Sequence, residues 1–430
     1  MDLNTVTKIH FIGIGGIGMS ALARHFLHEG KLVSGSDRAP SVITDALVAE
    51  GVTFFSPQLA ENIADDVDLV VYTEAMREDH EEMAAARKLG VPMVNYFEAL
   101  GLVANQYFVI AVAGAHGKTT TTAMLIDIFE DAGLDPSAVV GSLRGRTGKN
   151  YRAGESKYFI VEACEYKRDF LSLEPDILVI TNIEAEHLDY YRDLDDVVDA
   201  FRTLAQKVPE EGYIVCNAKD MTVARAIENA SATILDYTKE IDLLSPMKQP
   251  GMHNRMNAAA ARTAALEVGI ARTQVDSSLS QFVGTWRRFE YKGTLGCGAP
   301  VYDDYGHHPT EIEATLAGAR ELYPDKKILL VFQPHTYSRT HMLFDDFVRA
   351  LGKADELVLL PIYAAREQNE SGVTSAQLAK KMTVPVVLAD TPEYAAEEVV
   401  RTATADHVVV VMGAGDVFEV SRQLLSAEGN

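Results

Sequence analysis

In the stretch AVAGAHGKTTTTAM (residues 111–124), Gly117, Lys118 and Thr119 stand between an apolar, strand-like run and a threonine-rich helix start. A lysine so placed can neutralise the β- and γ-phosphates of a nucleoside triphosphate, while the next hydroxyl ligates magnesium. Gly114 and Gly117 permit tight backbone around the phosphates. Val112 occupies the place of the usual first glycine. That speaks against a conventional GTPase or kinase loop, but not against phosphate binding. Lys118 is expected in a solvent-reachable loop.

A second anion-binding pattern lies near the N-terminus. GIGGIG carries Gly13, Gly15, Gly16 and Gly18, with Asp37 where a ribose-binding acid would lie. Taken alone it fits NAD, and a dehydrogenase, as well as any other diphosphate nucleotide. Farther on, VEACEYKRDF offers Glu162 and Glu165 past one strand, and TNIEAEHLDYY offers His187 past another. Magnesium takes oxygen ligands, and a histidine can hold a second ion or orient water. GMHNRMNAAAA sets His253 and Asn257 one helical turn apart, with groups that suit an adenine edge; capping by Asn254 is an equal use of that stretch. Near the C-terminus, Asp303, Asp304, Tyr305, His307 and His308 crowd one strand end, and His335 and Arg339 follow another. Arginine grips carboxylates at two points.

The elements that must carry these groups alternate between strand and helix throughout. Lys8–Ile14 reads as a strand, as do Pro92–Val94, Tyr107–Ala113 and runs such as DILVITNI, KKILLVF and HVVVVMGAG. Unbroken apolar runs suit parallel strands buried on both faces. The fold class is α/β three times over, each block a mostly parallel sheet flanked by helices. The expected domains are 1–106, 107–286 and 287–430. A net charge of −23 argues against nucleic acid or an anionic membrane as a general partner. There is no apolar run long enough to span a bilayer and no apparent signal peptide, so no membrane insertion and a cytoplasmic location are expected. The three cysteines lack metal spacing and read as reduced thiols. A monomer or weak homodimer is expected.

GIGGIGMSALA, AGAHGKTTTT, TNIEAEHLDYY, HNRMNAAAA, RRFE, DDYGHHPTEI and HTYSRT occur in the order seen in Mur ligases, which the chain resembles along nearly its whole length. It is most similar to the branch that joins L-alanine to UDP-N-acetylmuramate. The resemblance implies an N-terminal Rossmann-like domain for the UDP moiety, a central P-loop ATPase, and a C-terminal Rossmann-like domain for the amino acid. By that likeness Gly15, Gly16, Gly18 and Asp37 hold the UDP-sugar rather than NAD. Gly114, Ala115, His116, Gly117, Lys118, Thr119 and Thr120 hold ATP. Asn182, His253 and Asn257 lie near adenine, and Arg288 and Asp304 near phosphate and ribose. Thr119, Glu162 or Glu165, and His187 bind Mg2+. Tyr305, His307, His335 and Arg339 hold the lactyl and alanyl end, and domain closure assembles the site. Some residues depart from the pattern. Ala115 replaces a common threonine, EACEYKRDF replaces EADESDASF, and YTEAM stands where a serine pair is usual. The nearest rivals are a ligase that recycles a ready-made tripeptide onto the same sugar and, more distantly, folylpolyglutamate synthetase.

Overall fold

The structure is a computed structural model that describes residues 1–187, 190–365 and 367–426. The chain forms two compact units. The first comprises residues 1–246 and 256–282, the second 247–255 and 283–430.

The first unit holds two sheets. One consists of β1 (Lys8–Ile12), β2 (Leu32–Ser36), β3 (Thr53–Phe55), β4 (Leu69–Tyr72) and β5 (Met93–Asn95), all parallel, in the order β3-β2-β1-β4-β5. The other consists of β6 (Phe108–Ala113), β7 (Ser137–Val139), β8 (Tyr151–Arg152), β9 (Tyr158–Glu162), β10 (Ile177–Ile180), β11 (Tyr213–Cys216) and β12 (Thr233–Asp236). Its order is β12-β11-β10-β6-β9-β7-β8, with only β8 antiparallel. β1 is two residues shorter than the apolar run suggests. Gly13 turns into the left-handed region at φ 85°, so Ile14 is buried by a turn and not by a strand. Likewise the strand expected at Pro92–Val94 is Met93–Asn95, and the one expected from Tyr107 begins at Phe108.

The second unit has one sheet. Its strands are β13 (Glu290–Thr294), β14 (Pro300–Asp304), β15 (Lys327–Phe332), β16 (Glu356–Leu359), β17 (Val386–Leu388) and β18 (His407–Met412), in the order β13-β14-β18-β15-β16-β17. Only β13 runs antiparallel. Val408 to Met412 and Ile328 to Phe332 are all nearly inaccessible, as strands covered on both faces must be. Among the described residues, no helix is long and apolar enough to cross a membrane.

The buried polar groups make the fold pH-sensitive. His10 on β1 is fully enclosed, with Nδ1 2.9 Å from Ser34 Oγ and Nε2 3.9 Å from Glu82 Oε1. Burial lowers its pKa to about 4, so at neutral pH the contact with Glu82 involves an uncharged ring. The unfolded chain therefore takes up this proton first. The contribution is complete above pH 6.5 and is lost as pH falls towards 4. Chemical denaturation of the wild type and His10→Asn is expected to show the wild type losing on the order of 3 kcal/mol more over that interval. Parallel pH profiles would contradict this.

Candidate active site

β6 lies between β10 and β9, and Ala113 is level with Ile180 while Val112 is level with Glu162. The loops that leave these three strand ends therefore emerge side by side, where ligands gather in open parallel sheets. The loop after β6 is braced by the loop after β10. His116 N–H donates to Asn182 Oδ1 at 2.9 Å, while Asn182 Nδ2 (2.9 Å) and Thr181 Oγ1 (2.6 Å) donate to His116 O. Gly114 sits at φ 142°. A side chain there would run into Thr181 Oγ1 and come within 2.9 Å of the Asn182 carbonyl. Gly117, at φ 81°, packs against the Asn257 amide. Both glycines are thus required by the geometry, and at these two positions the loop carries no side chain between its backbone and a ligand.

Lys118 does not lie in an open loop, as its neighbours in sequence suggest. It is the first residue of the helix Lys118–Asp131, and its side chain is only 15 % exposed. Its ammonium donates to the carbonyls of Gly114 and Ala115 and reaches Glu165 at 2.9 Å. Burial disfavours both charges of this pair, yet their mutual attraction prevails: the Lys118 pKa is raised and that of Glu165 lowered. His187 Nε2 lies 3.6 Å from Glu165 Oε1 and lends the same support. Tyr191 donates its hydroxyl proton to the Glu165 carbonyl. Glu162 has other partners. It accepts from Thr119 Oγ1 at 2.8 Å and from Gly141 N–H at 2.7 Å. The two carboxylates are therefore distinct, one with the threonine hydroxyl and the other with the lysine and histidine. Hydroxyl, carboxylate and imidazole donors around a backbone cradle fit a triphosphate accompanied by a hard divalent cation. Thr120, next in the helix, is buried.

The glycine turn lies in the same unit. Gly15 N–H donates to Asp37 Oδ2 at 2.8 Å, and Asp37 also accepts from Arg38 N–H at 2.7 Å. In this structure Asp37 fastens the turn. Gly18 is covered by the Tyr96 ring, so its missing side chain serves packing. Gly16 has nothing closer than 3.6 Å to a would-be Cβ and caps the helix Ile17–His28. A glycine turn feeding a helix N-terminus is a ready anion holder.

The second unit gathers Tyr305, His307, His335 and Arg339. The rings of His307 and His335 lie 5.6 Å apart, and His335 stacks on Tyr363 at 5.6 Å and 13°. Arg339 Nη1 is 3.3 Å from His335 Nδ1, which leaves that nitrogen as the acceptor. Burial drives the His307 pKa down to about 3 and lowers that of His335, so both are neutral at pH 7. Asp304 accepts from Phe289 N–H at 2.7 Å and Gly306 N–H at 2.6 Å, and burial raises its pKa to about 6. It knits together the backbone on either side of β14. Arg288 reaches Glu311 at 3.4 Å and lies over the Tyr305 ring. His253 is in this unit, its ring packed on Gly251 and its pKa lowered to about 4 by burial. Asn254 does not cap a helix: it lies inside Met252–Glu267, with Nδ2 donating to Pro250 O.

Three residues were not singled out by the motif reading. Thr181 supports the loop, but in the sequence it only opens the stretch TNIEAEHLDYY, in which His187 draws the attention. Tyr363 completes the aromatic face of His335 from a segment without a motif. Arg287 is buried at φ 54° and donates to Asp303 and to the carbonyl of Gly413, whereas the sequence draws attention to its neighbour Arg288.

This arrangement is that of a nucleotide-handling α/β enzyme, and comparison with known proteins sharpens the class. Residues 8–108 match "Mur ligase family, catalytic domain", 112–244 match "Mur ligase middle domain" and 287–415 match "Mur ligase, glutamate ligase domain". The chain belongs to the Mur ligase family. A UDP-N-acetylmuramate–L-alanine ligase of Lachnospira eligens is 39% identical over 458 residues, covering 99% of both chains. The crystal structure of a UDP-N-acetylmuramate–alanine ligase from Thermotoga maritima superposes with a TM-score of 0.80 at 27% identity, over 98% of this chain and 99% of that one. A murein peptide ligase from Psychrobacter arcticus shares the fold, with a TM-score of 0.72 at 24% identity and 99% coverage of both.

Proposed function

We propose that the protein uses ATP to join L-alanine to the lactyl carboxylate of UDP-N-acetylmuramate. The observation that carries this reading is the cluster of Lys118, Thr119, Glu162, Glu165 and His187 at neighbouring strand ends. The similarity to alanine-adding ligases along the whole chain supports it. A dehydrogenase would leave that cluster without work.

A carboxylate does not condense with an amine at neutral pH, because oxide would have to leave. Attack of the carboxylate oxygen on the γ-phosphorus breaks the bond to ADP and yields an acyl phosphate. The amine nitrogen then attacks the acyl carbon, and phosphate departs as the tetrahedral intermediate collapses. Charge is the obstacle, since an anion must approach a triphosphate, so electrostatic stabilisation dominates. Lys118 neutralises phosphoryl oxygens, and the loop amides hold the phosphate chain in place. Thr119 and Glu162 would hold one Mg2+, with Glu165 and His187 holding a second; these ions would withdraw charge from phosphate and carboxylate oxygens. Asn182 and Asn257 fix the loop, with adenine close by. In the second unit Arg339 offers a planar two-point grip for a carboxylate, beside the neutral imidazoles of His307 and His335. Arg288 and Asp304 support that cluster.

Competition between L-alanine and L-Ala-γ-D-Glu-diamino acid, read by the mass of the UDP-linked product, tests this reading. Alanine is the expected addition. Preferential tripeptide transfer would replace it with the recycling reaction. The glycine turn gives a separate prediction. A side chain at Gly15 would come within 2.7 Å of Asp37 Oδ2, so Gly15→Val disrupts the turn. Calorimetric titration is expected to show UDP-sugar affinity falling by about tenfold or more, with ATP affinity retained. The opposite pattern would exchange the two nucleotide assignments.

A further inference from the structure

We propose that Lys167 is a further positioning residue for the UDP-sugar, its ammonium binding the anionic part of that substrate; this rests on the ligase reading above. Lys167 and Arg168 follow Glu165 by two and three residues, and both adopt left-handed backbone, with φ 52° and 63°. Two consecutive non-glycine residues in that region are costly and persist only where their surroundings fix them. The effect is to aim two cations in different directions. Arg168 turns to Asp196 at 2.7 Å and Asp199 at 3.4 Å, while Lys167 reaches Glu74 at 3.2 Å.

Glu74 follows Thr73, whose methyl group would lie 2.6 Å from a side chain at Gly13 in the glycine turn. Lys167 thus stands between the turn assigned to the diphosphate and the loop that carries Glu162 and Glu165. Its ammonium is 5.7 Å from the centre of the Tyr166 ring, which in turn packs on the His187 ring at 4.9 Å. A carboxylate at Glu74, unopposed, would repel a diphosphate from the neighbouring turn. Lys167 offsets that charge, and in part that of nearby Asp169, while its ammonium has further N–H donors to offer to phosphate or carboxylate oxygens. Its side chain is 38 % exposed and so is accessible to them.

An ion pair that merely fastened two loops would have no bearing on which substrate needs more concentration. Steady-state kinetics of the full chain therefore tests the proposal, with Lys167→Met, Lys167→Arg, Glu74→Gln and the Glu74→Gln/Lys167→Met pair. Lys167→Met is expected to raise KM for UDP-N-acetylmuramate about tenfold, the size of a charge-assisted contact. KM for ATP and L-alanine, and kcat, should stay within about twofold. Lys167→Arg should retain most of the affinity, and the rise in KM should recur in the Glu74→Gln background. An unchanged KM in Lys167→Met, or a rise that disappears once Glu74 is neutral, would overturn the proposal. A wild type that ligates no UDP-N-acetylmuramate would overturn the ligase reading itself, and this inference with it.

Discussion

Lys118→Ala is expected to lower kcat by about 10²–10³-fold or more, because a charge partner of the transferring phosphoryl group is gone. The structure adds a consequence that a lysine in an open loop would not have. Glu165 is only 2 % exposed and Lys118 is its main cationic partner, so the single variant also leaves a buried carboxylate with only the more distant His187 beside it. Alanine suits the first turn of a helix, and the fold should persist with reduced stability. The double variant Lys118→Ala/Glu165→Gln separates the two effects. Thermal unfolding should move back towards the wild type, while phosphate release stays at the level of the single variant. Activity within about threefold of wild type in Lys118→Ala would remove the lysine from the chemistry.

Gly114→Ala is expected to abolish ATP binding and to cost about 3 kcal/mol or more of stability. A φ of 142° is essentially closed to L side chains, and a methyl group would meet the Asn182 carbonyl as well as Thr181. Gly148 supplies the comparison. It has φ 65° with nothing within 4 Å of a would-be Cβ, so Gly148→Ala should cost only about 1 kcal/mol. Denaturant melts and nucleotide titration of both variants check this. Wild-type ATP affinity in Gly114→Ala would show that the loop's shape is not what holds the phosphates.

The parts legible in the sequence were those set by period and by local chemistry. Apolar, β-branched runs such as HVVVV suit covered strands, and Gly-Lys-Thr between a strand and a helix leaves few alternatives. What remained hidden was set by long-range partners. Glu162 and Glu165 could not be told apart until β9 was placed beside the Thr119 helix, which gives one to the hydroxyl and the other to Lys118. Asp37 and Asp304 look like ligand-binding acids because they are carboxylates near strand ends. Their nearest acceptor duties prove to be backbone amides, at Gly15 in one case and at Phe289 and Gly306 in the other. Arg287 and Arg288 are indistinguishable as letters; only the left-handed backbone at Arg287 turns its side chain inward to Asp303.

The clasp between Asn182 and His116 has a temporal consequence. Because one side-chain amide accepts from the N–H and donates to the C=O of the same residue, the loop is held in one shape by the protein's own groups. Little ordering is then left for the encounter itself, and association should proceed in one kinetic phase whose rate rises linearly with nucleotide concentration. Selectivity among nucleotides would then be expressed in how long each one stays.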